Sequence, residues 1–260
     1  MDSLSSEIKR SFTLFSLWRT LAWNDVLNRY RRSILGPFWI TISMATTLLA
    51  MGPLYGSLFH LSLQDFLPHL CLGLIFWSLC TGVINESSTA FNDAAHFIRQ
   101  IPLPFPLYIL RVTWRQLIIL LHNLTVVPIV MLIYPPDWSW SMLLLLPALL
   151  ITLIFLSSVG LIAAIICTRY RDIAPIITSV MTLLFFVTPI IWQLSLLSAK
   201  QQYFARLNPF THFIELLRGT TLGHCPALLE WLLTALFALA AALIAMTLIS
   251  HTRKRIAYWI

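Results

Sequence analysis

Six long blocks of this chain contain no Asp, Glu, Lys or Arg: 33–64, 66–85, 116–136, 138–168, 173–199 and 231–252. About 20 apolar residues in a helix span the roughly 30 Å of bilayer hydrocarbon, and each block can supply them. The pattern predicts six membrane-spanning helices near 37–60, 66–86, 107–133, 141–167, 173–194 and 229–250. Ahead of them, Leu4, Ile8, Phe12, Phe15, Trp18, Ala22 and Val26 recur at three- or four-residue spacing, with Lys9, Arg10 and Arg19 mostly off that stripe. An amphipathic helix of this kind lies on a membrane surface or packs on another protein. We read residues 1–33 as an interfacial helix followed by a basic cluster, and 34–260 as one membrane domain.

The connections are uneven. Residues 61–65 and 134–140 are short and predict tight hairpins, whereas 87–106 and 195–228 are longer. In the first long connection, Ser87 to Ile98 can form a short helix, and Pro102, Pro104 and Pro106 then favour extended backbone leading into the third span. In the second, NPFTHFIELLRG (Asn208 to Gly219) reads as a helix with a proline start and a glycine stop. It is apolar enough to re-enter the membrane, which backbone of this kind does only where protein or a water-filled cavity surrounds it. Pro189, in TPIIW, interrupts the fifth span.

Composition agrees with the blocks. The chain has 260 residues, 58% hydrophobic and 10% charged, with mean hydropathy +0.82; soluble domains carry about 25% charged residues. The net charge of +7 does not point to nucleic acid, because the basic residues flank the apolar runs. Under the predicted spans, twelve Lys and Arg fall on the side of the N-terminus and three (Lys200, Arg206, Arg218) on the other, which places both termini in the cytoplasm. A cleavable leader is not expected, since charges are scattered through the first 33 residues. The basic cluster Arg29, Arg31 and Arg32, just before Gly36-Pro37, marks the membrane entrance and anchors to anionic headgroups.

Candidate chemistry is sparse. Neither G-x-x-x-x-G-K-[ST] nor G-x-G-x-x-G occurs, and H-E-x-x-H and G-x-S-x-G are absent, so no nucleotide, zinc or hydrolase site is expected. Cys71, Cys80, Cys167 and Cys225 form no C-x-x-C pair and read as small hydrophobes. Arg111 and Arg115 lie one helical turn apart near the end of the third span, and Glu86 ends the second at the same depth. Either Glu86 pairs with Arg111 or Arg115, or the side chains snorkel separately to the headgroups. A pair predicts that reversing both charges restores a function lost in each single reversal. Tyr55, Phe59, Trp77, Phe185, Phe186 and Trp192 lie on or near the outer halves of spans. They are lipid anchors and core packing, or faces on which sugar rings stack.

RYRRSILGPFWITIS, FIRQIPLPFP, His122-Asn123, RYRDIAPII, TPIIW and NPFTHFIELLRG occur in this order over nearly the whole length. In this the chain resembles the membrane subunits of type-2 ABC exporters that move lipid-linked O-antigen or capsular polysaccharide. The resemblance implies a bacterial inner-membrane permease in which two copies meet two cytoplasmic ATPase subunits. ATP and magnesium would be held by those partners, with no cofactor on this chain. It places ATPase coupling on the segment containing Phe91, Asn92, Asp93, His96, Phe97 and Arg99, and the outer-loop helix at the periplasmic exit. It makes the aromatics a glycan path. Arg29, Arg31 and Arg32 would meet the lipid pyrophosphate, since guanidinium matches phosphate geometry; the same arginines serve equally as a topology signal. Permeases for teichoic acid, drugs or small lipids share these features, and a membrane glycan polymerase or ligase is the reading from another class.

Overall fold

A computed structural model describes residues 4–31, 33–136 and 139–260; Arg32 and Trp138 lie outside them. Among the described residues all regular structure is helical: α1 Leu4–Thr13, α2 Phe15–Arg29, α3 Phe38–Leu58, α4 Leu63–Asp93, α5 Ala95–Gln100, α6 Phe105–Leu124, α7 Val126–Ile133, α8 Leu145–Arg169, α9 Ile173–Val187, α10 Ala199–Leu207, α11 Pro209–Thr221 and α12 Leu228–Trp259. Five helical stretches are long and apolar enough to cross a membrane: Phe38–Leu58, Leu63–Asp93, Phe105–Ile133, Trp140–Arg169 and Leu228–Trp259.

Helix α4 is the axis. It packs against α3, α6, α7, α8, α9 and α11, and its buried side chains run from Phe66 to Phe91. A helix that is apolar all round is one enclosed by others. Helix α8 runs along α4 and α12, and α2 lies across α6. Helices α3 and α9 keep apolar faces uncovered, with Leu49, Leu54, Ile176, Leu183 and Phe186 exposed.

One end of the bundle is basic. There Glu7 of α1 pairs with Arg253 of α12 and accepts from the Phe105 amide. Arg99 donates to the Ile260 carbonyl, and Arg169 lies over the Trp259 ring. The opposite, far end carries the 59–62 turn, the 134–136 segment, residues 188–198, α10 and the start of α12.

Several boundaries differ from the sequence reading. Helix α4 continues past Glu86 to Asp93, so Ser87 to Ile98 is not a separate helix; α5 begins only after Ala94. Asn92 and Asp93, which compete for backbone groups, fall at the break. The N-terminal stripe divides at Leu14, and the Trp18 indole donates to the Ser11 carbonyl across the division. Trp18, Ala22 and Val26 are buried, whereas Phe12 and Phe15 are exposed. Gly219 does not stop the outer helix, which runs to Thr221; Gly223, at φ +84°, takes the left-handed conformation that turns the chain. Helix α6 gives way to α7 at Thr125 because Pro128 has no N–H for the Leu124 carbonyl.

The fifth expected span differs most. Helix α9 has 15 residues, about 22 Å at 1.5 Å per residue. Thr188 is extended, the conformation that a following proline favours, and 188–193 continue as irregular backbone.

Candidate functional site

Two helices bring acids to meet the arginines of α6. Asp25 of α2 receives a two-pronged bond from Arg111, Nε to Oδ2 at 2.8 Å and Nη2 to Oδ1 at 2.5 Å. Arg115 donates to the same Asp25 Oδ2 at 2.8 Å and, through Nε, to Glu86 Oε2 of α4 at 2.8 Å. Glu86 Oε1 in turn accepts from Arg29 at 2.8 Å. Five charges therefore run in one chain, Arg111–Asp25–Arg115–Glu86–Arg29, and lock α2 onto α4 and α6. Arg29 is the outermost, with its side chain 46% exposed against 16–24% for the other four. Glu86 thus meets Arg115 directly, while Arg111 goes to Asp25 instead. Sequence reasoning missed Asp25. Its signal was available: it is the lone acid between Glu7 and Asp65, and it follows Ala22 by three residues on the face that α2 buries.

Arg29 also borders a groove of about 580 Å³ between α3, α4 and α6, lined by Arg29, Tyr30, Trp39, Ser43, Thr47, Trp77, Ser78, Thr81 and Asn123 among others. Two indoles, several hydroxyls and an amide follow a guanidinium at the mouth. Asn123 spans from α6 to Ser78, its Nδ2 donating at 3.3 Å, and its buried Oδ1 has no partner among the described residues. Arg31 is exposed beside this mouth in sequence.

The aromatic candidates fall into two groups. Tyr55 and Phe59 stack at 6.0 Å near the end of α3, and Phe59 touches Phe66. Trp77 is buried between Phe185 and Phe210, and Phe185 contacts the exposed Phe186. Trp192 joins this second group, its indole donating to the Phe186 carbonyl at 3.0 Å.

That bond belongs to a set that satisfies the backbone interrupted at Pro189. Arg218 of α11 donates to the Pro189 carbonyl at 2.7 Å, His69 of α4 meets the Trp192 carbonyl at 3.3 Å, and Asn208 donates to the Thr188 hydroxyl at 2.8 Å. Ile190 and Ile191 are buried. Irregular backbone is tolerated at membrane depth where protein encloses it and supplies such bonds. Gly73 makes room for it, since a Cβ there would stand 2.6 Å from the Arg218 guanidinium and 3.0 Å from the Ile190 carbonyl oxygen. Next to this, His212 of α11 bonds Glu230 at 2.6 Å and the Arg206 carbonyl at 2.8 Å. The Glu230 carboxylate holds the His212 imidazole above the usual histidine value against the opposing effect of burial.

At the basic end, Phe91 is fully buried, packed on Phe105 and Tyr108. It anchors the end of α4 and offers no docking surface, a correction to its place among the coupling residues. Asn92 is half-buried, and Asp93, His96, Phe97 and Arg99 are exposed on or beside α5. Asp93 accepts from Thr89 at 2.7 Å, and His96 meets Gln100 at 3.1 Å.

The sequence profile of the ABC-2 type transporter family matches residues 16–222. The chain is 24% identical over 193 residues to the O-antigen export system permease protein RfbA of Myxococcus xanthus, covering 73% of this chain and 74% of that one. It is 24% identical over 206 residues to the protein of the same name from Klebsiella pneumoniae, covering 77% and 78%.

Proposed function

This chain belongs to the ABC-2 type transporter family, a multi-pass membrane subunit of transport rather than an ATPase, and from that premise we propose that it exports lipid-linked polysaccharide, O-antigen or capsule, from the bacterial cytoplasm. The observation that carries the proposal is the groove between α3, α4 and α6. A guanidinium stands at its mouth, where a pyrophosphate headgroup would arrive, and indoles and hydroxyls follow, suited to sugar faces and edges. The printed names of the two relatives support the same cargo. A hydrated glycan cannot enter hydrocarbon, because each unpaired hydroxyl costs several kcal/mol, about 4–8 on a hydrocarbon scale. Weak contacts at many points let it slide.

In this reading the basic end lies in the cytoplasm, in line with the excess of Lys and Arg there. The sixth crossing is α9 together with the bonded segment 188–194, and α11 is the re-entrant helix that encloses it. Two copies meet through the uncovered apolar faces of α3 and α9 and form the channel between them. Two ATPase subunits, which carry the ATP and magnesium, dock on Asp93, His96, Phe97 and Arg99. The membrane is the bacterial inner membrane.

Deleting the gene and locating the cell's long polysaccharide by fractionation and surface labelling tests this. Full-length lipid-linked glycan trapped inside is the expected result. Absent or single-unit glycan would point to assembly by an enzyme, and normal surface glycan would overturn the proposal.

A further inference from the structure

The far end holds a second cavity, of about 600 Å³, distinct from the groove at the mouth. Five segments wall it: the first turns of α4, residues 134–136, residues 193–195, the last turns of α11, and Leu222 and His224 just after it. Its size lies within the range of small-ligand sites, roughly 300–1,000 Å³. Because α9 stops at Val187, ahead of Pro189, residues 188–195 run as irregular backbone beside α4, and the cavity opens next to them.

The lining alternates donors and acceptors. His69 donates its Nε2 hydrogen to the Trp192 carbonyl, which fixes the ring in the wall. Gln64 and Gln193 offer amides with both functions, and Tyr134 a phenol. Arg218, itself 3% exposed, is held by Glu215 and the Pro189 carbonyl, a fixed guanidinium in the wall. Asp65 and Glu215 set two carboxylates against that one cation. The excess of carboxylate disfavours phosphate, and the guanidinium disfavours a metal ion. Paired carboxylate and amide groups suit vicinal hydroxyls, each a donor and an acceptor, while Pro135, Pro136 and the Tyr134 ring offer apolar surface to C–H faces.

We infer that this cavity is a binding site for uncharged sugar residues at the end of the molecule where the glycan leaves. The inference rests on the export reading for the source of the sugar. One site per chain would hold the emerging end of the glycan against backsliding while the opposite end is still in the groove.

The test uses the full chain with its ATPase partner in lipid nanodiscs, free of sugar-headed detergent. The probe is a set of short fragments of the cell's own surface polysaccharide, released from lipid by mild acid, with calorimetry as the readout. Gln64→Leu with Gln193→Leu removes two amides; among the described residues the only side-chain bond either makes is a long contact from the Ser195 hydroxyl to Gln193 at 3.4 Å, so the fold is expected to be kept. The expected result is binding of fragments to the wild type, weakened about fivefold or more in the double variant, the scale of two neutral hydrogen bonds. Inorganic phosphate does not compete. Equal binding by both proteins overturns the site, as does competition by phosphate. Absence of binding to the wild type also overturns it. If surface display in that case still depends on the gene, the export reading stands without the site; if display is independent of the gene, both fall.

Discussion

Arg111 grips Asp25 with two parallel hydrogen bonds across 86 residues of sequence, joining α2 to α6 of the helical bundle. Fork-to-fork contact of this kind is directional as well as strong. Apolar contacts alone would let α2 slide along α6; the ion pair fixes its position.

Asp25→Asn removes the charge that Arg111 and Arg115 share. Both guanidinium groups are largely enclosed, with side chains 23% and 16% exposed. Removing one partner of a buried pair costs about 3–5 kcal/mol, and the partial exposure brings the expected loss to about 2–3 kcal/mol. Thermal unfolding in nanodiscs should show the loss, and limited proteolysis should cut α2 faster. Asp25→Asn with wild-type stability would mean that α2 is held by Trp18, Ala22 and Val26 alone.

The charge swap Glu86→Arg with Arg115→Glu is expected to give no rescue. An isolated pair would tolerate it. Here Glu at 115 would face Asp25, and Arg at 86 would face Arg29, so two like-charge contacts replace two attractive ones. Surface polysaccharide measured in the two single variants and the double should be lowest or equal in the double. Recovery in the double would show that Glu86 and Arg115 act without Asp25 and Arg29.

The helical character and most crossings were legible because apolar blocks bounded by charges carry that information locally. The Glu86–Arg115 contact was within reach, since both residues lie at one depth. Asp25 was marked as the lone acid between Glu7 and Asp65, three residues after the buried Ala22, but its partners were not, because which arginines it meets depends on how α2 crosses α6. The continuation of α4 to Asp93 was hidden by Glu86, which looks like a span end in hydropathy but is neutralised by two arginines. Pro189 announced a break, yet the side chains that bond its backbone, Arg218 and His69, lie far apart from each other in sequence and could not be paired with it from the sequence alone.

His212 ties α11 to the first turn of α12 through Glu230. Its folded-state pKa is raised above the usual value of about 6.5, because the charged imidazole gains the carboxylate. The tie therefore contributes its full stability below about pH 6.5 and loses it as pH rises through the folded value. Unfolding temperatures of the wild type and His212→Gln should differ most at acidic pH and converge at alkaline pH. A difference that is constant across the range would mean that the neutral ring's bond to the Arg206 carbonyl is the whole contribution.

Arg29 separates recognition from stability. It is the exposed end of the charge chain, and Glu86 keeps Arg115 when it is removed. Exposed ion pairs contribute about 0–1 kcal/mol, so Arg29→Gln should leave unfolding nearly unchanged. The groove nevertheless loses the cation at its mouth. If a pyrophosphate headgroup enters there, surface polysaccharide should fall several-fold in Arg29→Gln and further when Arg31 and Arg32 are also neutralised, with the amount of protein in the membrane unchanged. Arg29→Lys keeps the charge but not the planar donor pair, and should give an intermediate level. Unaltered export by the triple variant, correctly inserted, would assign the arginines to topology alone and move the headgroup's contact elsewhere in the groove.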